Sequence, residues 1–316
     1  MSAKALLGLL AAFGVVAVAA SAKTPPSPTP VPVKASTRNE VTPAAGSGYI
    51  AWAKSRRGHP HVYDVWAQQE GQAAFKVNAP NTHGWAGGID ATRFVYQQVK
   101  KGNSDVRFFD LVTRRRTNAP AGVNTKRWEW RPTISGDWLL YGRGVVFGGS
   151  TQYVLLRNLV TGEQRILDSL KSRNGFLQAG QVNGTYAVWM KCTSRVGCNV
   201  YRYDITTATT TYMPTTGQVL YAPSVTNSGT AFYGRSGPSC GSNAELAKTT
   251  LDGTTTVVYS FPSGQDFGVT YATTLTSLPP PPFTTSRIYF DLGDCSTGRV
   301  DIYSIDDSER LPPSGR

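Results

Sequence analysis

Trp130-Arg131-Pro132-Thr133-Ile134-Ser135-Gly136-Asp137-Trp138-Leu139-Leu140-Tyr141 reads as two strands around a turn. β-Branched, aromatic and aliphatic residues favour extended backbone, and Gly136-Asp137 supplies the turn chemistry between them. The closing triplet, Leu139-Leu140-Tyr141, has five counterparts: Ile50-Ala51-Trp52, Phe94-Val95-Tyr96, Ala187-Val188-Trp189, Ala231-Phe232-Tyr233 and Ile288-Tyr289-Phe290. Their last residues, at 52, 96, 141, 189, 233 and 290, are 44, 45, 48, 44 and 57 residues apart. The long final step carries the insert Leu278-Pro279-Pro280-Pro281-Pro282-Phe283. A repeat of about 45 residues therefore organises the chain in six copies.

A second alternating segment follows each triplet, as in Val106-Arg107-Phe108-Phe109-Asp110 and Tyr153-Val154-Leu155-Leu156-Arg157. A polar turn then leads to a short last strand, such as Arg165-Ile166-Leu167 or Val257-Val258-Tyr259; in the sixth copy this falls on Glu309-Arg310-Leu311. With the strand ahead of the triplet, each unit has four strands, and the first begins near Arg38. One small sheet cannot bury its own apolar faces, so the units must pack on one another. Radial packing of four-stranded antiparallel sheets predicts an all-β, six-bladed β-propeller over residues 38–316.

The third repeat, with Arg157-Asn158-Leu159-Val160-Thr161-Gly162-Glu163 downstream, resembles a blade of the propellers in TolB-like and WD-repeat-like exported proteins. The resemblance covers residues 40 to 311 as a rhythm. Ser135-Gly136-Asp137 and Asn227-Ser228-Gly229 stand where that family has a Trp-Ser-Pro-Asp-Gly turn. The aspartate box of sialidase-type propellers is missing, which lowers a glycosidase reading.

Before the repeats lie Lys4, an apolar run over residues 5–20 and Ala20-Ser21-Ala22, the pattern of a signal peptide cleaved after residue 22. The run is short for a retained membrane helix. The first cysteine is Cys192, which excludes a lipid anchor behind the run. Residues 23–37, rich in alternating prolines, read as an extended linker. The chain is expected to be secreted or periplasmic, without stable membrane insertion once cleaved, and a monomer.

The formal charge of +12 falls to +11 when Lys4 leaves with the signal peptide. Such a balance favours acidic partners, and for an exported protein these are a protein or an acidic glycan, with nucleic acid set aside. The four cysteines suit an oxidising compartment. Cys192 and Cys198 flank one hairpin loop, while Cys240 and Cys295 occupy the equivalent loop in the fifth and sixth repeats. Pairing Cys192 with Cys198 and Cys240 with Cys295 follows, the second bond tying neighbouring blades. The spacing is wrong for a four-cysteine zinc site.

All three histidines, His59, His61 and His83, fall in or beside the first repeat. The loop between second and third strands and the linker between blades open on one propeller face, so these imidazoles are candidate ligands for a divalent metal. Otherwise no cofactor is expected. Trp85, Arg127, Trp128, Trp130 and Arg131 begin first strands near that linker face and form a candidate basic and aromatic binding patch. Gly-x-Ser-x-Gly is absent, and acidic pairs such as Asp306-Asp307 sit in turns, so no catalytic residue is assigned. The expected function is a non-enzymatic binding module. The alternative is a metal-dependent polysaccharide lyase or hydrolase using the histidine cluster.

Overall fold

The computed structural model describes residues 29–144, 150–194, 197–213, 219–236, 239–240, 242, 244–277 and 283–310, with backbone alone at 266–277, 283–286 and 308–310. The expected signal peptide lies outside these residues. The chain enters as β1 (Val31–Lys34) and then builds six sheets. The first holds β2 (Glu40–Gly46), β3 (Tyr49–Arg56), β4 (His59–Gln69) and β5 (Phe75–Lys76). The second holds β6 (His83–Asp90), β7 (Arg93–Lys100), β8 (Asn103–Asp110) and β9 (Arg115–Thr117). The third holds β10 (Trp128–Ser135), β11 (Trp138–Gly144), β12 (Thr151–Asn158) and β13 (Gln164–Lys171). The fourth holds β14 (Gly175–Asn183), β15 (Tyr186–Thr193), β16 (Gly197–Asp204) and β17 (Thr209–Met213). The fifth holds β18 (Val219–Val225), β19 (Ala231–Ser236), β20 (Glu245–Thr249) and β21 (Thr255–Ser260). The sixth holds β22 (Gln265–Ser277), β23 (Phe283–Asp294) and β24 (Val300–Arg310).

Every sheet is antiparallel, the first five run in chain order from inside outward, and the first strands β2, β6, β10, β14, β18 and β22 neighbour one another in a closed ring. This is the six-bladed propeller expected from the repeat. The triplets explain it. In the third blade Leu139 and Tyr141 pack toward the second sheet, whereas Leu140 between them packs toward the fourth. The same division holds for Ala187, Trp189 and Val188, and for Ala231, Tyr233 and Phe232. A strand sandwiched between two sheets presents alternate side chains to each, so both faces must be apolar and the period-two contrast vanishes. The six closing aromatics, from Trp52 to Phe290, are at most 4 % exposed. Each buried ring stabilises the ring of blades by roughly 1.5–3 kcal/mol.

The sixth sheet departs from expectation. Its outermost strand is β1, inside the stretch read as a linker, pairing Val31 with Ser304, Pro32 with Tyr303 and Lys34 with Ile302. Glu309 and Arg310 instead extend β24, paired with β23, and Leu311 lies outside the described residues. Pro32 is tolerated because an edge strand has one side free of ladder bonds. Lys34 then reaches into the first blade: its ammonium sits 4.7 Å from the Trp52 ring and donates to Gln68 Oε1. The ring is thus closed by both ends of the chain sharing one sheet.

Every inner strand carries a register shift midway. At three of them a residue with positive φ precedes proline: Thr42-Pro43, Arg131-Pro132 and Ala222-Pro223. At two others glycine takes the place, because a Cβ on Gly87 would lie 2.1 Å from the Pro132 carbonyl oxygen, and on Gly180 2.5 Å from that of Pro223. Bulges of this kind re-aim side chains, and one of them carries Arg131.

Candidate binding face

Connections from second to third strand and from each blade to the next open on the same face, as strand order requires. Both expected disulfides are formed there. Cys192 and Cys198 stand opposite each other across the β15–β16 pair, and Cys240 joins Cys295 between the fifth and sixth blades. They restrain loops of this face.

On it, between the third and fourth blades, lies a hollow of about 610 Å³ whose lining includes Trp130, Arg131, Arg173, Phe176, Gln178 and Ser194. Among the described residues no carboxylate lines it. Arg173 stands in a single turn of 3-10 helix, Ser172–Asn174, is exposed, and has no carboxylate partner among the described residues. Phe176, at the start of β14, is 42 % exposed. Trp130 is 7 % exposed and its indole lies over Gly142 so closely that a Cβ there would be 2.3 Å from the ring. Glycine at 142 is thus what lets the indole lie flat across β11. The Arg131 amide, at φ 49°, donates to Gln97 Oε1 at 3.4 Å.

Beneath the neighbouring linker, Glu129 is fully buried. Thr125 Oγ1 donates to its carboxylate at 2.7 Å and Arg143 Nε at 2.9 Å. Burial raises its pKa, opposed by Thr125 and Arg143. Arg143 also donates to the Gly122 and Val123 carbonyls, at 2.8 Å each, so one ion pair tacks the linker onto the blade. Removing either partner of such a pair costs about 3–5 kcal/mol.

The five residues of the expected patch do not share one site. Trp130 and Arg131 line the hollow described above. Arg127 stacks on Tyr153, 5.9 Å from the ring, and lines a separate groove of about 370 Å³ with Lys126 and Arg143. Trp128 is 37 % exposed and lines neither. Trp85 is half-buried in the second blade, 5.5 Å from the His83 ring and 6.2 Å from that of Tyr63. Arg173 and Phe176 were not expected. The signal was present in Ser172-Arg173-Asn174-Gly175-Phe176, a short polar linker followed by an aromatic that the strand has no reason to expose.

His59 and His61 do not lie in a loop. The hairpin turns in Arg57-Gly58, and β4 begins at His59, with a register shift between the Ser55–Tyr63 and Arg56–His59 pairs absorbing the extra residues. Both are exposed, whereas His83 is half-buried on β6. Its pKa is lowered by burial and by Arg56, and its Nδ1 is buried without a hydrogen-bond partner. Among the described residues no group of three or more His, Cys, Asp or Glu is placed to hold a metal ion.

No protein-family model matches the chain, and no curated protein matches it. Solved structures do. TolB from Acinetobacter baumannii is 14 % identical with a TM-score of 0.52, over 84 % of this chain and 65 % of that one. A subtype N11 neuraminidase-like protein of A/flat-faced bat/Peru/033/2010 (H18N11) is 10 % identical with a TM-score of 0.54, over 90 % and 95 %. The acylaminoacyl peptidase of Pyrococcus horikoshii is 10 % identical with a TM-score of 0.51, over 88 % and 46 %. The chain thus spans less than two thirds of the TolB chain and under half of the peptidase. At these identities the likeness establishes the fold: a TolB-like six-bladed propeller.

Proposed function

We propose that this chain is an extracytoplasmic binding module without catalysis, whose linker face takes an acidic partner, either an envelope or extracellular protein or an acidic glycan. The observation that carries the reading is the hollow between the third and fourth blades, where Arg131 and Arg173 meet exposed Phe176 and the Trp130 edge with no carboxylate in the lining. Guanidinium groups recognise carboxylates and sulfates in a planar, often bidentate manner, and an adjoining aromatic surface adds area at small entropic cost. Two disulfides in the loops of that face are in keeping with an oxidising compartment and a preorganised surface. The metal-dependent lyase or hydrolase reading is supported by residue type at His59, His61 and His83 alone.

The test is binding of the purified chain to a panel of acidic and neutral glycans and acidic proteins. Acidic members are expected to bind and to weaken with added salt. Replacing Arg131 and Arg173 by Ala is expected to weaken binding at least ~10-fold, the scale of losing interfacial arginines. Cleavage of a bound glycan, or binding indifferent to both arginines, would overturn the reading.

A further inference from the structure

A second hollow of about 670 Å³ opens on the same face, where the linker after β1 passes into the first blade. Arg38 enters it from that linker, and Arg56 and Arg57 from the β3–β4 hairpin. Asn39, Ser55 and Thr37 complete its polar wall, Pro60 is its one apolar side chain, and it too has no carboxylate in its lining. Arg56 is anchored: its Nη2 donates to Asp64 Oδ1 at 2.6 Å and to the Thr82 carbonyl at 2.5 Å, and its Nε to Asp64 at 3.0 Å. Exposed Arg57 and half-buried Arg38 have no carboxylate partner among the described residues. Asp64 already compensates Arg56, whereas the guanidinium groups of Arg38 and Arg57 beside it gain a counter-charge from an oxyanion set in the hollow.

The position of this hollow is as telling as its lining. The second hollow lies beside the linker from the sixth sheet into the first, three blades around the ring from the junction of the third and fourth. One hollow therefore offers cations with aromatic surface, and the other cations with hydroxyl and amide groups.

We infer that Arg38, Arg56 and Arg57 form a second anion-binding subsite, and that the two hollows together hold one linear acidic polysaccharide laid across this face of the ring. The inference rests on the binding reading above. A chain whose every unit bears an acid and several hydroxyls matches both linings. An acidic peptide matches the second hollow less well, because it finds only Pro60 there as apolar surface for the side chains between its carboxylates. A ligand long enough to reach both subsites gains from effective concentration, an avidity step that short ligands lack.

Calorimetric titration of the full chain with alginate oligomers of increasing length provides the test, with poly-glutamate of matched charge as the peptide arm. Affinity is expected to rise at least ~10-fold once a threshold length is passed, the low end of such avidity gains. The variant carrying Arg38→Ala and Arg57→Ala is expected to lose that step, to bind short oligomers only at the hollow between the third and fourth blades, and to keep the parental denaturation midpoint, since Arg56 and Asp64 remain paired. A wild type that binds short oligomers without any step at greater length overturns the bridging and leaves the binding reading intact. Failure to bind any alginate or poly-glutamate sinks both. A step seen with poly-glutamate and not with alginate overturns the glycan in favour of an acidic protein.

Discussion

Asp64 shows how much one side chain holds in place. Burial pushes its pKa up, but hydrogen bonds from Arg56, Lys76 and Asn78 outweigh this and hold the carboxyl below its usual 3.8. Asn78 also donates to the Thr82 carbonyl at 2.7 Å and accepts from the Val65 amide at 2.9 Å, so the network ties the first blade's outer edge to the linker leading into the second. A carboxyl whose folded pKa is depressed contributes stability above its unfolded value, and that contribution is lost as pH falls through the folded value. Asp64→Asn is therefore expected to cost about 1.5–3 kcal/mol at pH 7, the range for hydrogen bonds to a charged group, and the gap between variant and parent should narrow as the pH falls below 3.8. Denaturation midpoints measured at pH 7 and pH 3 check both halves; a gap of equal size at the two pH values would contradict it. Such networks were not legible in the sequence, because Asp64 has a polar residue for a neighbour at many positions and only the fold selects Arg56, Lys76 and Asn78. The cysteines were legible, since two of them fall at equivalent loop positions of adjacent repeats and the other two flank one hairpin.

Among elements, the interior strands and five of the six outer strands were readable, and the edge of the sixth sheet was not. Leu139-Leu140-Tyr141 must satisfy two sheets at once, which leaves a strong apolar mark, whereas β1 buries little and its partner β24 lies at the other end of the chain. Val31-Pro32-Val33-Lys34 therefore looks like the proline-rich stretch around it. The placing of His59 and His61 in a loop differs from the structure for a related reason: a two-residue turn followed by a bulge resembles a longer loop when only residue types are seen. The hollow between the third and fourth blades was half legible. Trp130 and Arg131 stood out as bulky residues near a linker, but Arg173 and Phe176 join them only because the fourth blade's first strand begins beside them. The two disulfides fasten elements over different spans, with sequence separations of 6 and 55. On the chain-entropy account, replacing Cys240 and Cys295 by Ser should cost about 4 kcal/mol, and replacing Cys192 and Cys198 about 2 kcal/mol. Equilibrium denaturation of the two double variants would settle the order; equal losses would mean that the inter-blade bond restrains the unfolded chain no more than the hairpin bond does.

For the molecule as a whole, the apolar core is divided into clusters that each span two adjacent sheets, as Val95 and Val106 of the second blade meet Ile134 and Tyr141 of the third. Stability is thus distributed around the ring, and the face above it is free to vary. Closing the ring falls to β1, which runs antiparallel to β24, so that residue 31 and residue 310 leave the sixth sheet at the same end. Val31 lies opposite Ser304, six residues short of residue 310, so a linker of a few residues can join the two ends and the place where the chain is cut becomes a matter of choice. A circular permutant running from residue 40 to 310, and on through a short added linker into residues 31–34, would give every sheet four strands consecutive in sequence. The first and sixth sheets would then meet through side-chain packing with no covalent thread between them. Such a permutant is expected to adopt the same ring with a lower denaturation midpoint, and an unchanged midpoint would show that segment 35–39 is a passive tether. The difference between the two chains is the worth of beginning a circle and ending it in the same sheet.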